Sequence, residues 1–323
     1  MNQPTCGIVT HEPDIRILEG LIARIAPEVA TIVIIANSFL DDGVIATLRA
    51  ASNGTEFVYQ PCYENIGLGA AFSQIVTVAR AKGADRIILF DQDSSPQSGM
   101  IGRLGEMLDA LVHNGHRPAV VGPRPVSPTT GKISYKSPTV HLHSSRQASG
   151  RARAVWFVIS SGSLIPLAAI DDVGLFDAQL FVDATDVEWC MRAWSRSFTC
   201  WLADDIVMPH RLGIGVAGRF AIQPAWRLSL YARNQAALLS RDYIPRSWKM
   251  RWMGYFLCQV LAYLVIDRGK PGRCKALLSG FYSGMRGQFG RPVNLPDHVG
   301  GMETKTGSSL QPTAANGVPH FVR

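Results

Sequence analysis

Short apolar runs alternate with stretches of helical spacing through the first third of the chain. CGIVT (6–10), TIVII (31–35) and FVYQ (57–60) read as strands, rich in β-branched and aromatic residues. RIILFDQD (86–93) is another apolar strand, and it runs straight into an acidic turn. Between these strands the spacing predicts helices over about 15–26, 43–51, 67–82 and 98–113, the first capped by Asp14. A strand near 119–122 follows. This β-α-β-α rhythm predicts a parallel sheet with helices on both faces.

The pattern loosens after Gly122. Residues 123–153 are rich in Pro, Ser, Thr, His and Arg and read as a variable loop or edge hairpin. WFVISSGSLIP (156–166) restarts strand character and turns into a helix. Residues 185–197 read as a helix with Val187, Cys190, Met191 and Trp194 on one face. A strand near 199–207 leads to Pro209-His210, and helices fill 223–290. The stretch 293–323 is polar, aperiodic and expected to be disordered. The expected organisation is a catalytic domain over 1–235, with halves of about 1–122 and 154–235, then a helical region over 236–292.

Composition narrows the class. An apolar fraction of 47% is too high for a disordered chain. Six cysteines among 323 residues, none in a CxxC pair, exclude a disulfide scaffold and suggest reduced thiols in a cytoplasmic protein. The N-terminus lacks the basic-then-apolar pattern of a signal peptide. No apolar run reaches the roughly 18–20 residues of a spanning helix. The net charge of +7 is concentrated: Arg246 to Arg291 holds nine Lys and Arg, with Asp267 the one acid. Trp248, Trp252, Tyr255, Phe256 and Tyr263 lie among those cations. An interfacial helix on the inner face of the cytoplasmic membrane accounts for this mixture, as does a helix packed on the domain or on a second subunit. Nucleic acid is not an expected partner, since no recognised motif is present.

Three clusters carry candidate chemistry. Asp91-Gln92-Asp93 follows an apolar strand, where open α/β sheets bind ligands. Two carboxylates at i, i+2 can share Mg²⁺ or Mn²⁺ and so meet substrate phosphates, or they can cap a turn. Asn65-Ile66-Gly67-Leu68-Gly69 opens a helix and suits either an anion or an ordinary turn. Asp183, Asp186 and Glu188 precede a helical stretch as a candidate general base, or as acids favoured by the helix dipole. His210 is able to complete a cation site.

The order of the segments IVTHEPD (8–14), IIANS (34–38), ENIGLGAAFSQ (64–74), LFDQDSSP (89–96), SSGSLIP (160–166), VGLFDAQLFVDATDVEWCMRA (173–193), PHRLG (209–213) and YARNQAAL (231–238) resembles a known pattern. It is that of the family 2 inverting nucleotide-sugar glycosyltransferases of GT-A fold, most similar to bacterial rhamnosyltransferases of O-antigen and other surface polysaccharides. The resemblance covers about residues 6–292. It implies a Rossmann-like α/β fold, mostly parallel, with a C-terminal helical extension. Asp186 would be the catalytic base and Glu188 would orient the acceptor. Asp91 would hold the ribose and the cation, Asp93 would ligate the cation, and His210 would be its third protein ligand. Thr10, Asn37, Asn65, Gly67 and Gln92 would bind the nucleotide. The implied partners are dTDP-rhamnose and a lipid-linked or polysaccharide acceptor, though no single residue carries the rhamnose assignment. Thr10-His11-Glu12-Pro13 stands where the family often has Thr-Tyr-Asn-Pro, and Ala36-Asn37-Ser38 where it often has Asp-Asn-Ser, both at the nucleobase end. A sugar nucleotidyltransferase would want a Gly-rich cationic N-terminal loop, which CGIVTHEPD is not. A non-catalytic nucleotide-sugar-binding scaffold subunit would not need the retained carboxylates.

Overall fold

The computed structural model describes residues 3–128, 131, 133, 137–142, 152–209, 215–217, 220–269 and 271–292. His210 and the stretch 293–323, both subjects of sequence expectations, lie outside the described residues, as does much of 123–153.

Four strands form the regular part of the sheet: β1 (Thr5–Thr10), β2 (Thr31–Ala36), β3 (Glu56–Pro61) and β4 (Arg86–Asp91). Their connections are α1 (Ile15–Ile25), α2 (Asp42–Ala51) and α3 (Gly67–Ala81), and all these pairings are parallel. Alternate residues enter two different cores. Val9, Val33 and Ile35 pack with Phe72 and Ile75 of α3, whereas Ile8, Ile32 and Ile34 pack with Leu18, Leu21 and Ile22 of α1. A strand covered on both faces is apolar at every position, as CGIVT and TIVII are. Asp14 caps α1 as expected, accepting from the Arg16 and Ile17 N–H groups.

The remainder is mixed rather than parallel. After α4 (Met100–His113) come β5 (Pro118–Val126), β6 (Ala152–Ala154), β7 (Ser163–Pro166), α5 (Leu167–Val173), α6 (Thr185–Ser195) and β8 (Thr199–Pro209). The eight strands lie in the order β3-β2-β1-β4-β7-β5-β8-β6. β7 is antiparallel to both β4 and β5, and β6 is antiparallel to β8. Of the expected strand over 156–166, only the last four residues pair as a strand. Gly162 turns the chain at φ 82°, and a Cβ there would lie 2.7 Å from Pro123 Cγ, so the bend requires glycine.

A hairpin of β9 (Gly215–Ala217) and β10 (Phe220–Ile222) leads into α7 (Ala225–Leu239), α8 (Arg246–Ile266) and α9 (Gly272–Met285). These three helices share a small core of Leu228, Ala232, Trp252, Phe256, Tyr263 and Leu277. α7 and α9 touch backbone to backbone: a Cβ on Gly280 would sit 2.1 Å from Ser229 O, and one on Gly284 2.1 Å from Arg233 O. Trp252, Phe256 and Tyr263, for which a membrane interface and packing on the domain were both open, are buried in this bundle. Among the described residues no helix is long and apolar enough to cross a membrane.

Candidate active site

One edge of the sheet collects the chemistry. It carries the carboxyl ends of β1, β4, β5 and β8 and, because β7 runs the other way, the start of β7. Asp91 ends β4 and Ser163 begins β7. The turn before β7 joins the two acidic clusters. The Gly162 N–H donates to Leu89 O at 2.7 Å, and Ser161 Oγ lies 2.6 Å from Ser94 Oγ beyond Asp91. The Ser160 N–H donates to Asp186 Oδ2 at 3.3 Å, while the Val187 N–H donates to Asp186 Oδ1 at 2.8 Å.

The carboxylates are electrostatically coupled. Burial, and then the charge of Asp93, push Asp91 up to about 6, against the pull of Arg227. Asp186 is also pushed up to about 6, first by burial and then by Asp183 and Asp91, with its two backbone hydrogen bonds opposing the shift. The two clusters, far apart in sequence, therefore face each other across one cleft. Arg227, in the first turn of α7, is the cation they share. Its Nη2 reaches Asp183 Oδ1 at 3.1 Å and its Nε reaches Oδ2 at 3.4 Å. Asp183 above all, and also Asp91 and Asp93, hold its guanidinium charged.

The segment entering α6 is strained. Phe181, Asp183 and Ala184 have φ of 61°, 65° and 62°, a region that non-glycine residues rarely adopt. Its geometry is over-determined by α7. Asn234, fully buried, places Nδ2 2.6 Å from Leu180 O, 2.6 Å from Val182 O and 2.9 Å from Asp183 O. Arg233 adds a bond to Leu180 O at 3.4 Å. A side chain on α7 thus fixes the strained turn that presents Asp186.

Several residues expected at the nucleotide also have partners within the protein. The Asn37 side chain accepts from the Ile66 N–H at 3.2 Å and donates to Gly67 O at 3.4 Å. Asn65 Oδ1 accepts from the Gly67 N–H at 2.9 Å. Gly67, at φ 77°, would place a Cβ 2.5 Å from Phe181 O, and the Leu68 N–H donates to that same carbonyl. The N-terminus of α3, read as an anion site, is therefore closed by the 177–181 loop. Gln92 pairs with the backbone of His11 in both directions, at 2.7 and 3.1 Å. Glu188, expected to orient an acceptor, is buried and takes Arg192 Nε at 2.8 Å and Nη2 at 2.9 Å, with the Tyr243 hydroxyl on Oε1. Its carboxylate braces α6, two bonds falling on Oε1 and one on Oε2. Thr10 differs from these. Its Oγ1 is buried at the carboxyl end of β1 and has no hydrogen-bond partner among the described residues, and Thr185 Oγ1 likewise has none.

Asp91 and Asp93 are hard oxygen donors whose repulsion a divalent cation would relieve, so the donor chemistry fits Mg²⁺ or Mn²⁺. Among the described residues no group of three His, Cys, Asp or Glu side chains gathers as a metal site.

Sequence reasoning missed Arg227, Asn234 and the turn at Ser160 and Ser161. The segments of Asn234, Ser160 and Ser161 resembled the family and that of Arg227 did not, and local pattern assigns none of them chemistry, because each acts on a loop distant in sequence.

The sheet order, with the acidic turn at the end of β4 and the acid-bearing α6, is that of a GT-A type fold. No family model matches the chain. It is 24% identical over 294 residues to the dTDP-rhamnosyl transferase RfbF of Shigella flexneri, which covers 88% of this chain and 95% of that one. Its fold is similar to that of S. aureus TarS 1–349 in complex with UDP-GlcNAc, with a TM-score of 0.55, 15% identity, and 88% and 81% of the two chains covered. In a longer TarS structure the chain spans 43% of the length. It is also similar to GalNAc-T7 with UDP, GalNAc and Mn²⁺, with a TM-score of 0.54, 13% identity, and 83% and 58% covered.

Proposed function

We propose that the protein transfers rhamnose from dTDP-rhamnose, with inversion, to a lipid-linked or polysaccharide acceptor at the cytoplasmic side of a bacterial envelope. The observation that carries this is the nearness of Asp186 to the Asp91 end of β4, with the Asp91 charge helping burial to raise the Asp186 pKa. The likeness to a dTDP-rhamnosyl transferase over most of both chains supports the donor.

Asp186 acts as general base. With a pKa of about 6 it is ionised at neutral pH yet more basic than an ordinary carboxylate. It takes the proton of an acceptor hydroxyl, whose oxygen attacks the anomeric carbon while the bond to the nucleoside diphosphate breaks. Arg227, facing the same carboxylates, meets the departing diphosphate charge. Thr10 Oγ1, without a partner among the described residues at the end of β1, would meet the nucleoside end of the donor. Asp91 and Asp93 would hold Mg²⁺ or Mn²⁺, with His210 as the implied third ligand, and a bound cation supplies positive charge to the diphosphate.

The test is a donor panel with the cognate acceptor lipid, read by mass spectrometry. The expected product is heavier by one deoxyhexose, with dTDP released and its yield abolished by a chelator. Consumption of no nucleotide-sugar in the panel would overturn the reaction, and full activity with the chelator would overturn the metal assignment.

A further inference from the structure

We infer that the outward face of α8 is a docking surface for an anionic lipid bilayer, a partner separate from the donor and acceptor of the transfer reaction. α8 is two-sided in a way its sequence hides, since both sides are apolar. Trp252, Phe256, Gln259 and Tyr263 recur at helical spacing and are buried against α7 and α9. Trp252 stacks on Phe256 at 5.2 Å and on Phe281 of α9 at 6.1 Å. The opposite side carries Met250, Leu257, Leu261, Leu264 and Val265, with Met250 77%, Leu261 63% and Val265 78% exposed. At 1.5 Å per residue this apolar stripe is about 22 Å long. An exposed stripe of that extent signals a partner.

Charge decides which partner. Arg246 and Arg251 are exposed at the start of α8, and Arg268 just beyond its end, so cations bracket the stripe. The neighbouring α9 repeats the arrangement on a smaller scale, exposing Leu278, Tyr282 and Met285 with Lys275 and Arg286. Asp267, the one acid from Arg246 to Arg291, is half-buried and already paired with Arg273 at 2.6 Å. Two copies joined through this face would oppose two cationic rims with no free carboxylate between them. A bilayer with anionic headgroups accepts both parts, the stripe in its acyl boundary and the cations among its phosphates. Since α8 does not meet the requirements of a spanning helix, it lies in the plane of the surface.

The test uses the full chain with vesicles of equal parts phosphatidylcholine and phosphatidylglycerol, and with phosphatidylcholine alone, without donor. Co-sedimentation is expected with the anionic vesicles only, and high salt should weaken it. The triple variant L257S/L261S/V265S should lose at least about tenfold in partition. R246Q/R251Q/R268Q should lose about fivefold per cation removed. All six side chains point outward, so both variants should keep the wild-type circular dichroism and melting temperature. Equal binding to neutral vesicles, or none to anionic ones, overturns the proposal. So does a concentration-dependent dimer in analytical ultracentrifugation that the serine variant dissolves, which would assign the stripe to a second copy. Because binding is read without donor, failure here leaves the transfer reaction untouched, and failure of the donor panel leaves this surface untouched.

Discussion

Asp91 and Asp186 reach the same pKa of about 6 by different construction. Asp91 is the last residue of a parallel strand in the most regular part of the sheet. Any sequence that forms β4 delivers its carboxylate to the cleft. Asp186 stands one residue into α6, after a turn with three left-handed non-glycine residues. Nothing local favours that turn, and α7 imposes it through Asn234, Arg233 and Arg227. The group assigned to binding is set by local structure, and the group assigned to proton transfer by tertiary structure.

The sharpest break in this comparison is Asp186→Asn. Turnover should fall roughly 10²–10⁴-fold with donor affinity kept, as for loss of a general base. Asp91→Asn should lose donor affinity as well, measured by titration calorimetry with the nucleotide. Next in size is Asn234→Ala, which touches neither carboxylate. Releasing the turn should lower kcat by about 10²-fold through misplacement of the base, with the donor KM little changed. The unpaired carbonyls should also cost about 1–3 kcal/mol of stability in denaturant unfolding. Loss of both parameters together would mean that the turn also shapes the donor site.

The pH profile separates the two halves more gently. The base must be unprotonated, so kcat/KM should rise about tenfold per pH unit up to about 6 and then level. In Asp186→Asn the part of that limb due to Asp186 should disappear, leaving only the part due to Asp91. The smallest effect concerns stability. A carboxyl whose folded pKa is raised holds its proton longer folded than unfolded, so its contribution is lost as pH rises from about 4 to about 6. Asp186→Asn should therefore raise the melting temperature at pH 7 by about 2 °C, and the gain should vanish below about pH 4.

The sequence was most legible where structure is local. The apolar runs at 6–10, 31–35 and 86–90 and the helices between them read directly, because both faces of those strands are covered and each helix carries its own stripe. Asp91 and Asp93 were legible for the same reason. β7 was not, because four residues give too little pattern to reveal an antiparallel insertion between β4 and β5. Polar residues at the candidate site have structural partners that local pattern does not show. Asn37, Asn65 and Glu188 have the chemistry of ligand contacts, and each also meets a protein partner, distant in sequence for Asn37 and Glu188 and two residues away for Asn65. Buried and exposed apolar residues on α8 were likewise indistinguishable in sequence, and Trp252, Phe256 and Tyr263 turned inward while Tyr255 stayed exposed.

The insertion of β7 also bears on synthesis. Because the chain is made from its N-terminus, β4 and β5 exist before the strand that joins them. Until Ser163–Pro166 leaves the ribosome, β4 keeps an open edge, and β5 cannot join the sheet through β7. Open strand edges of apolar sequence are templates for association. A transcript or translation product ending between Val126 and Ser163 would therefore carry a sheet missing its middle, and the cell would meet it as a substrate for chaperones and proteases.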